Sequence, residues 1–213
     1  MHYDVEWRRR RQGLAGPAER EDLAGVSEST KRLAVVGISG SPSKTSKSRV
    51  LVEYALAQLA AGGATTQLVD LAALPAEPLL GRGASAAVAG AIEATTRAGI
   101  IVAGTPVYRA TYSGLLKVFL DLLPQDSLIG KIGVPLVTGH GAAHALAVDH
   151  GLRPLFASLG ATVIASGVYA TSPQFADSKP GRELLEAVDR AVAEALALAG
   201  ELWRVARPPY IDR

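Results

Sequence analysis

Five times between residues 33 and 203, a short apolar run gives way to a longer stretch with helical spacing. The runs fall at 33–39, 66–70, 99–104, 132–138 and 162–169, and the helical patterns at 47–61, 84–97, 114–122, 144–158 and 181–203. Each run is too short for a core helix, and each crossover is long enough to return the chain beside a parallel neighbour. Leu33 to Ile38, apolar apart from Gly37, suits a strand covered on both faces. The alternation predicts an α/β chain, a doubly wound five-stranded parallel sheet, with 2-1-3-4-5 the natural strand order for five units. The last helix has the clearest period, with Leu184, Val188, Ala191, Val192 and Ala195 on one face and Ser178 as its expected N-cap.

Sheets of this kind bind ligands at the carboxyl ends of their strands beside the switch point, which gathers the loops after strands 1, 3 and 4. The first, Ser39 to Ser48, offers five serines, Thr45, Lys44 and Lys47, and ends where helical spacing begins at Val50. Hydroxyls, free backbone N–H groups and a helix N-terminus together suit a phosphate. A G-x-x-x-x-G-K-[ST] loop is absent, because Thr45 stands where its second glycine belongs, and Gly37-Ile38-Ser39-Gly40 does not supply G-x-G-x-x-G. What remains fits one terminal phosphate better than a pyrophosphate; the competing reading is a polar strand-to-helix turn with a serine cap. After strand 3 comes Gly104 to Gly114, with two tyrosines and Pro106 turning the chain sharply out of the strand. After strand 4 comes Thr138 to His144, whose glycines around His140 let backbone approach a planar ligand. A flat, phosphorylated heterocycle would suit the three loops, and flavin mononucleotide (FMN) matches that description.

Composition narrows the remaining classes. The absence of cysteine removes disulfide frameworks, thiolate metal sites and a Cys nucleophile, and makes a reducing cytoplasm the expected location. The 22 Lys+Arg against 20 Asp+Glu do not imply nucleic-acid binding. No window has the length and apolarity of a membrane span. Residues 1–32, with the run Arg8 to Arg11 and six acidic residues, read as a disordered or loosely docked tail without the apolar stretch of a secretory signal. Residues 33–203 then form the folded domain and 204–213 a C-terminal tail. His140 and His144 are four apart, but a glycine loop without a third nearby ligand is a poor scaffold, so no metal site is expected. Ser113 lacks a G-x-S-x-G elbow and reads as a helix cap rather than a nucleophile.

The segments GSPSKTSKS, TPVYRATYSGLLKVFLDLLP, GKIGVPLVTGHGAAHALAVDHGLRPLFASLGA and GVYATSPQF resemble the NADPH-dependent FMN reductase family, and within it the alkanesulfonate-utilisation branch that supplies reduced flavin to a separate monooxygenase. The likeness spans Leu33 to Phe175. It implies a flavodoxin-like fold, a homodimer or homotetramer, and hydride transfer from NADPH or NADH to FMN. Carried onto this chain, it implies that Ser41, Ser46, Lys47 and Ser48 bind the flavin phosphate with Thr45 beside them. Thr105, Pro106, Val107 and Tyr108 would line the isoalloxazine with Ser113 near, and Thr138, Gly139, His140 and Gly141 would close its other side. Tyr112 would be an inserted aromatic residue creating a π-bulge at an interface between dimers. No catalytic side chain is obligatory, since the cofactors carry the reactivity; Arg109 and Tyr112 are candidate modulators, with Arg109 placed to meet the nucleotide.

Three functions stay open at this level: a reductase that releases reduced FMN, a quinone, azo-dye or metal-ion reductase that keeps FMN bound, and a flavodoxin-type electron carrier. Carriers of that type depend on strong acidity. Seven of the basic and six of the acidic residues lie in 1–32, leaving 15 against 14 in the remainder, so the carrier reading loses ground.

Overall fold

The first apolar run forms β1 (Ala34–Ser39), buried at every position after Ala34. It pairs in parallel with β2 (Thr65–Asp70) on one side and β3 (Ile100–Pro106) on the other. β4 (Ile132–Gly139) adds to β3, and two short strands, β5 (Thr162–Val163) and β6 (Val168–Thr171), share the last lane beside β4. The predicted order 2-1-3-4-5 is thereby observed. This computed structural model describes residues 32–206; the expectations placed on the Arg-rich segment 1–31 and on 207–213 lie outside the described residues.

Helices α1 (Lys47–Ala61) and α6 (Arg182–Ala206) cover one face, against Val35, Val102, Val134 and Ile164. The other face, through Val36, Ile101, Ala103 and Val137, meets α3 (Ala86–Arg97), α4 (Gly114–Leu120) and α5 (Arg153–Ser158). This two-sided cover is why β3 is buried from Ile100 to Thr105. A short helix α2 (Ala76–Leu79) after Pro75 occupies the β2–α3 connection, where the sequence pattern predicts no element.

The chain departs from the predicted elements at four places. The run at 162–169 is not one strand. Glu194 of α6 accepts from the Ala165 and Ser166 amides at 2.6 and 2.8 Å, while Arg153 of α5 donates to the Ile164 carbonyl at 2.6 Å and the Ala165 carbonyl at 3.3 Å. Backbone groups held by side chains cannot continue the ladder to β4, so the strand breaks there. The pattern at 144–158 is not one helix: a 3-10 segment (Ala142–Ala147) and a π turn (Val148–Leu152) precede α5. Pro154 lacks an N–H and its ring crowds the carbonyl four residues back, which opposes an α-helical turn through His150.

The helix predicted at 114–122 is α4, which stops at Leu120. Its apolar residues serve the core more than a surface: Leu116, Phe119, Leu120 and Leu123 are buried, and Leu115, Val118 and Leu122 are half-buried against them. Ser178 does not cap the last helix. With Asp177 it forms the two-residue turn of a hairpin, β7 (Phe175–Ala176) and β8 (Lys179–Pro180), at φ of 48° and 64°, the sign that the primed hairpin turns require. The Gly181 carbonyl instead accepts from the Leu184 and Leu185 amides, and α6 runs on to Ala206, past the predicted end at 203.

Glu194 carries a pH prediction. Burial pushes its carboxyl up, but hydrogen bonds from the Ser166 side chain and the Ala165 and Ser166 amides, with the Arg153 charge, outweigh this and hold it below the ordinary value. A carboxyl lowered in the folded state stabilises above its unfolded pKa, near 4.3, and loses that contribution as pH falls through its folded value. Glu194→Gln should therefore flatten the acid limb of a Tm-versus-pH curve between pH about 6 and 3. An acid limb as steep as that of the wild type would remove Glu194 from this role.

Candidate functional site

The loops after β1, β3 and β4 meet at the carboxyl edge of the sheet and are tied to one another by hydrogen bonds. The Gly40 amide donates to the Gly104 carbonyl at 2.8 Å, the Ser113 hydroxyl donates to the Gly40 carbonyl, and the Val107 amide donates to the Thr138 carbonyl at 2.7 Å. The three loops form one linked rim.

At the β1 end, Ser46 caps α1 by accepting from the Arg49 amide at 3.2 Å, and its hydroxyl lies 3.0 Å from that of Ser48. Ser41 accepts from the Ser43 amide at 3.2 Å. Ser41, Ser46 and Ser48 are all buried. Ser39, ending β1 beneath this loop, is 1% exposed and its hydroxyl has no partner among the described residues. An orphaned buried hydroxyl beside serines at a helix N-terminus fits an anion that supplies acceptors, such as a phosphate monoester. Thr45 and Lys44 are exposed. The Lys47 ammonium lies 5.3 Å from the centre of the Phe175 ring, a cation–π arrangement in which the β7–β8 hairpin holds the lysine beside the loop. The cap reading of the serine loop is met at Ser46.

Glycine at 40 and 104 is required by close approach. A Cβ on Gly104 would meet the Ser48 carbonyl oxygen at 2.8 Å, and one on Gly40 would meet Leu116 Cβ at 2.8 Å. The serine loop is thus pressed directly onto β3 and α4.

In the β3 loop, Thr105 is buried and accepts from the Ser113 amide at 2.9 Å. Ser113 Oγ accepts from the Leu116 amide at 3.1 Å while donating to Gly40, so this residue braces the loop and caps α4. Tyr108 and Thr111 close a tight hairpin through bonds of 2.9 and 3.3 Å, with Arg109 and Ala110 at its tip at φ of 50° and 71°. Two successive non-glycine residues in the left-handed region cost about 1–2 kcal/mol each, so the tip is strained and projects Arg109 outward. The sequence shows no sign of this turn, which lacks the Asn-Gly pair such turns favour.

Tyr112 lies before α4 and in no π-bulge, because Ser113 caps the helix and α4 begins at Gly114. The π geometry belongs to Val148–Leu152. There Gly151 approaches so closely that a Cβ on it would lie 2.5 Å from Thr111 Oγ1 and 3.4 Å from Tyr112 Cδ1.

On the β4 side, Thr138 is buried and Gly139 and Gly141 are partly so, while His140 and His144 are exposed. Among the described residues, no three of His, Cys, Asp and Glu converge as a metal would need. Tyr169 of β6 reaches this loop with its phenol donating to the Gly141 carbonyl at 2.5 Å.

A rim with buried serines at a helix N-terminus at one end and two glycine- and aromatic-bearing loops at the other is the arrangement expected of a flavin site, and the family evidence agrees. Residues 33–176 match the NADPH-dependent FMN reductase family. The chain belongs to this family. A relative from Pseudomonas putida, FMN reductase (NADPH), is 36% identical over 167 residues, covering 77% of this chain and 85% of the relative. The NADH-dependent FMN reductase SfnF of Pseudomonas fluorescens is 34% identical over 172 residues, covering 79% of this chain and 92% of its own length. Among solved structures, an NADH:FMN oxidoreductase (EMOB) in its apo form superimposes with a TM-score of 0.69 at 38% identity, over 76% of this chain and 89% of that one. An archaeal flavodoxin, at 13% identity and a TM-score of 0.55 over 79% of this chain and 98% of its own, shares the fold alone.

As a member of the FMN reductase family, the chain is an NAD(P)H:FMN oxidoreductase with a flavodoxin-like fold. Hydride chemistry belongs to the two cofactors, so what is asked of the protein is to orient rings and neutralise charge. The linked rim is built for orientation.

Proposed function

We propose that this chain reduces FMN with a nicotinamide nucleotide and releases the reduced flavin to a separate flavin-dependent monooxygenase. The observation that carries this reading is the open ring side of the site. Tyr108, at the expected isoalloxazine wall, is 47% exposed. A flavin held mainly by its phosphate in an open site exchanges, which suits micromolar rather than tighter affinity.

In this reading Ser41, Ser46, Ser48 and the α1 N-terminus hold the phosphate, with Lys47 and Thr45 at its edge. Thr105 to Tyr108 and Thr138 to Gly141 bracket the ring. Ser113 serves as the brace between these loops. Arg109, carried outward on the strained hairpin tip, meets the nicotinamide nucleotide. Arg109→Ala should raise KM for the pyridine nucleotide severalfold with little change in FMN affinity; equal effects on both in steady-state kinetics would remove the assignment.

The chain works as a homodimer or homotetramer in the cytoplasm. An apolar groove of about 500 Å³, lined by residues including Pro78, Ala86, Val88, Ile92 and Leu122, and the 56% exposed Leu80 support association. Among the described residues, no helix is long and apolar enough to cross a membrane.

The deciding experiment is oxidation of NADPH and NADH by desalted protein with and without added FMN. Activity that depends on added FMN is expected. Full activity without it would make FMN a retained prosthetic group, as in a quinone, azo-dye or metal-ion reductase, and would end the release reading.

A further inference from the structure

The glycine at 139 answers to a side chain beneath it. A Cβ there would overlap the Tyr169 hydroxyl and lie 2.8 Å from Tyr169 Cζ, whereas a Cβ on Gly141 would meet nothing within 4 Å. Tyr169 pairs with Val137 across the β4–β6 ladder, so its ring starts from a rigid backbone. From there it passes under Gly139 and its phenol donates to the Gly141 carbonyl at 2.5 Å. Burial pushes the phenol pKa up, so the group remains a donor at neutral and mildly alkaline pH. At the other end of the turn, the Thr138 carbonyl is held by the Val107 amide at 2.7 Å. The turn from Thr138 to Gly141 is therefore gripped at both ends, once from the β3 loop and once from β6.

We propose that Tyr169 is a positioning residue for flavin binding: its hydroxyl sets the height of the Thr138–Gly141 turn against the isoalloxazine ring. The proposal rests on the flavin reading above. It separates two halves of the site, since the serine loop holds the phosphate and Tyr169 acts at the ring.

The test compares FMN with riboflavin, which carries the same ring without the phosphate. Fluorescence titration of Tyr169→Phe, which keeps the ring and deletes the hydroxyl, should show Kd for both flavins rising together severalfold, because the segment that meets the ring loses its anchor at Gly141. Amide hydrogen exchange in the ligand-free variant should quicken at His140 to Ala142, a readout independent of turnover. Unchanged affinities, or a loss confined to FMN, would overturn the role of Tyr169. Binding of neither flavin by the wild type would instead bring down the functional reading, and this proposal with it.

Discussion

Gly104→Ala should lower Tm by roughly 5–10 °C and weaken FMN binding about tenfold or more. A methyl group at this position would overlap a Val52 methyl and press within 2.8 Å of the Ser48 carbonyl oxygen. Val52 can shift, but the Ser48 carbonyl is backbone in the first turn of α1 and cannot swing aside. The helix must lift from β3. Overpacking of this kind costs about 1–3 kcal/mol, and a chain of this size loses roughly 2–4 °C per kcal/mol. Because the Gly104 carbonyl also holds the Gly40 amide, the displacement reaches both ends of the serine loop. Thermal melts with flavin titrations check it; a variant that melts and binds like the wild type would show that α1 is not seated as described.

Ser48→Ala should weaken FMN by about 10- to 100-fold while leaving riboflavin affinity nearly unchanged. Ser48 is 1% exposed and its hydroxyl is bonded to Ser46 Oγ. The helix cap belongs to Ser46, so this substitution removes a donor from the cradle and leaves α1 in place. A hydrogen bond to a charged group contributes about 1.5–3 kcal/mol, which corresponds to that range. Equal losses for the two flavins in parallel titrations would mean the phosphate lies elsewhere. Together with Tyr169→Phe, where both flavins should weaken alike, the pair of variants maps which end of the ligand each half of the rim holds.

The meeting of the three loops was legible in the sequence. The hydroxyl-rich stretch from Ser39 to Ser48 announces itself by composition, and its failure to match either common phosphate-loop spacing already favoured a single phosphate. Tyr169 was not legible, because nothing in GVYATSPQF marks a tyrosine whose work is done 28 residues away at Gly141. The Arg109–Ala110 tip was hidden for a different reason: its residues contradict the local preference for left-handed backbone, so propensity pointed elsewhere. Strain held in place by the surrounding structure is invisible to a reading based on what residues favour by themselves.

From the order of its residues alone, this chain determines the five lanes of its sheet, their order, and which three loops share a rim. Those follow from periodicity and crossover length, which are written over a few consecutive residues. Tertiary structure decided the break between β5 and β6 and the reason for glycine at 139. The first of these rests on Glu194 and Arg153 taking backbone groups 29 and 11 residues away. The last rests on a ring arriving from a neighbouring strand. A side chain that satisfies distant backbone polar groups changes local structure without leaving any period in the sequence, so only the folded chain reveals it.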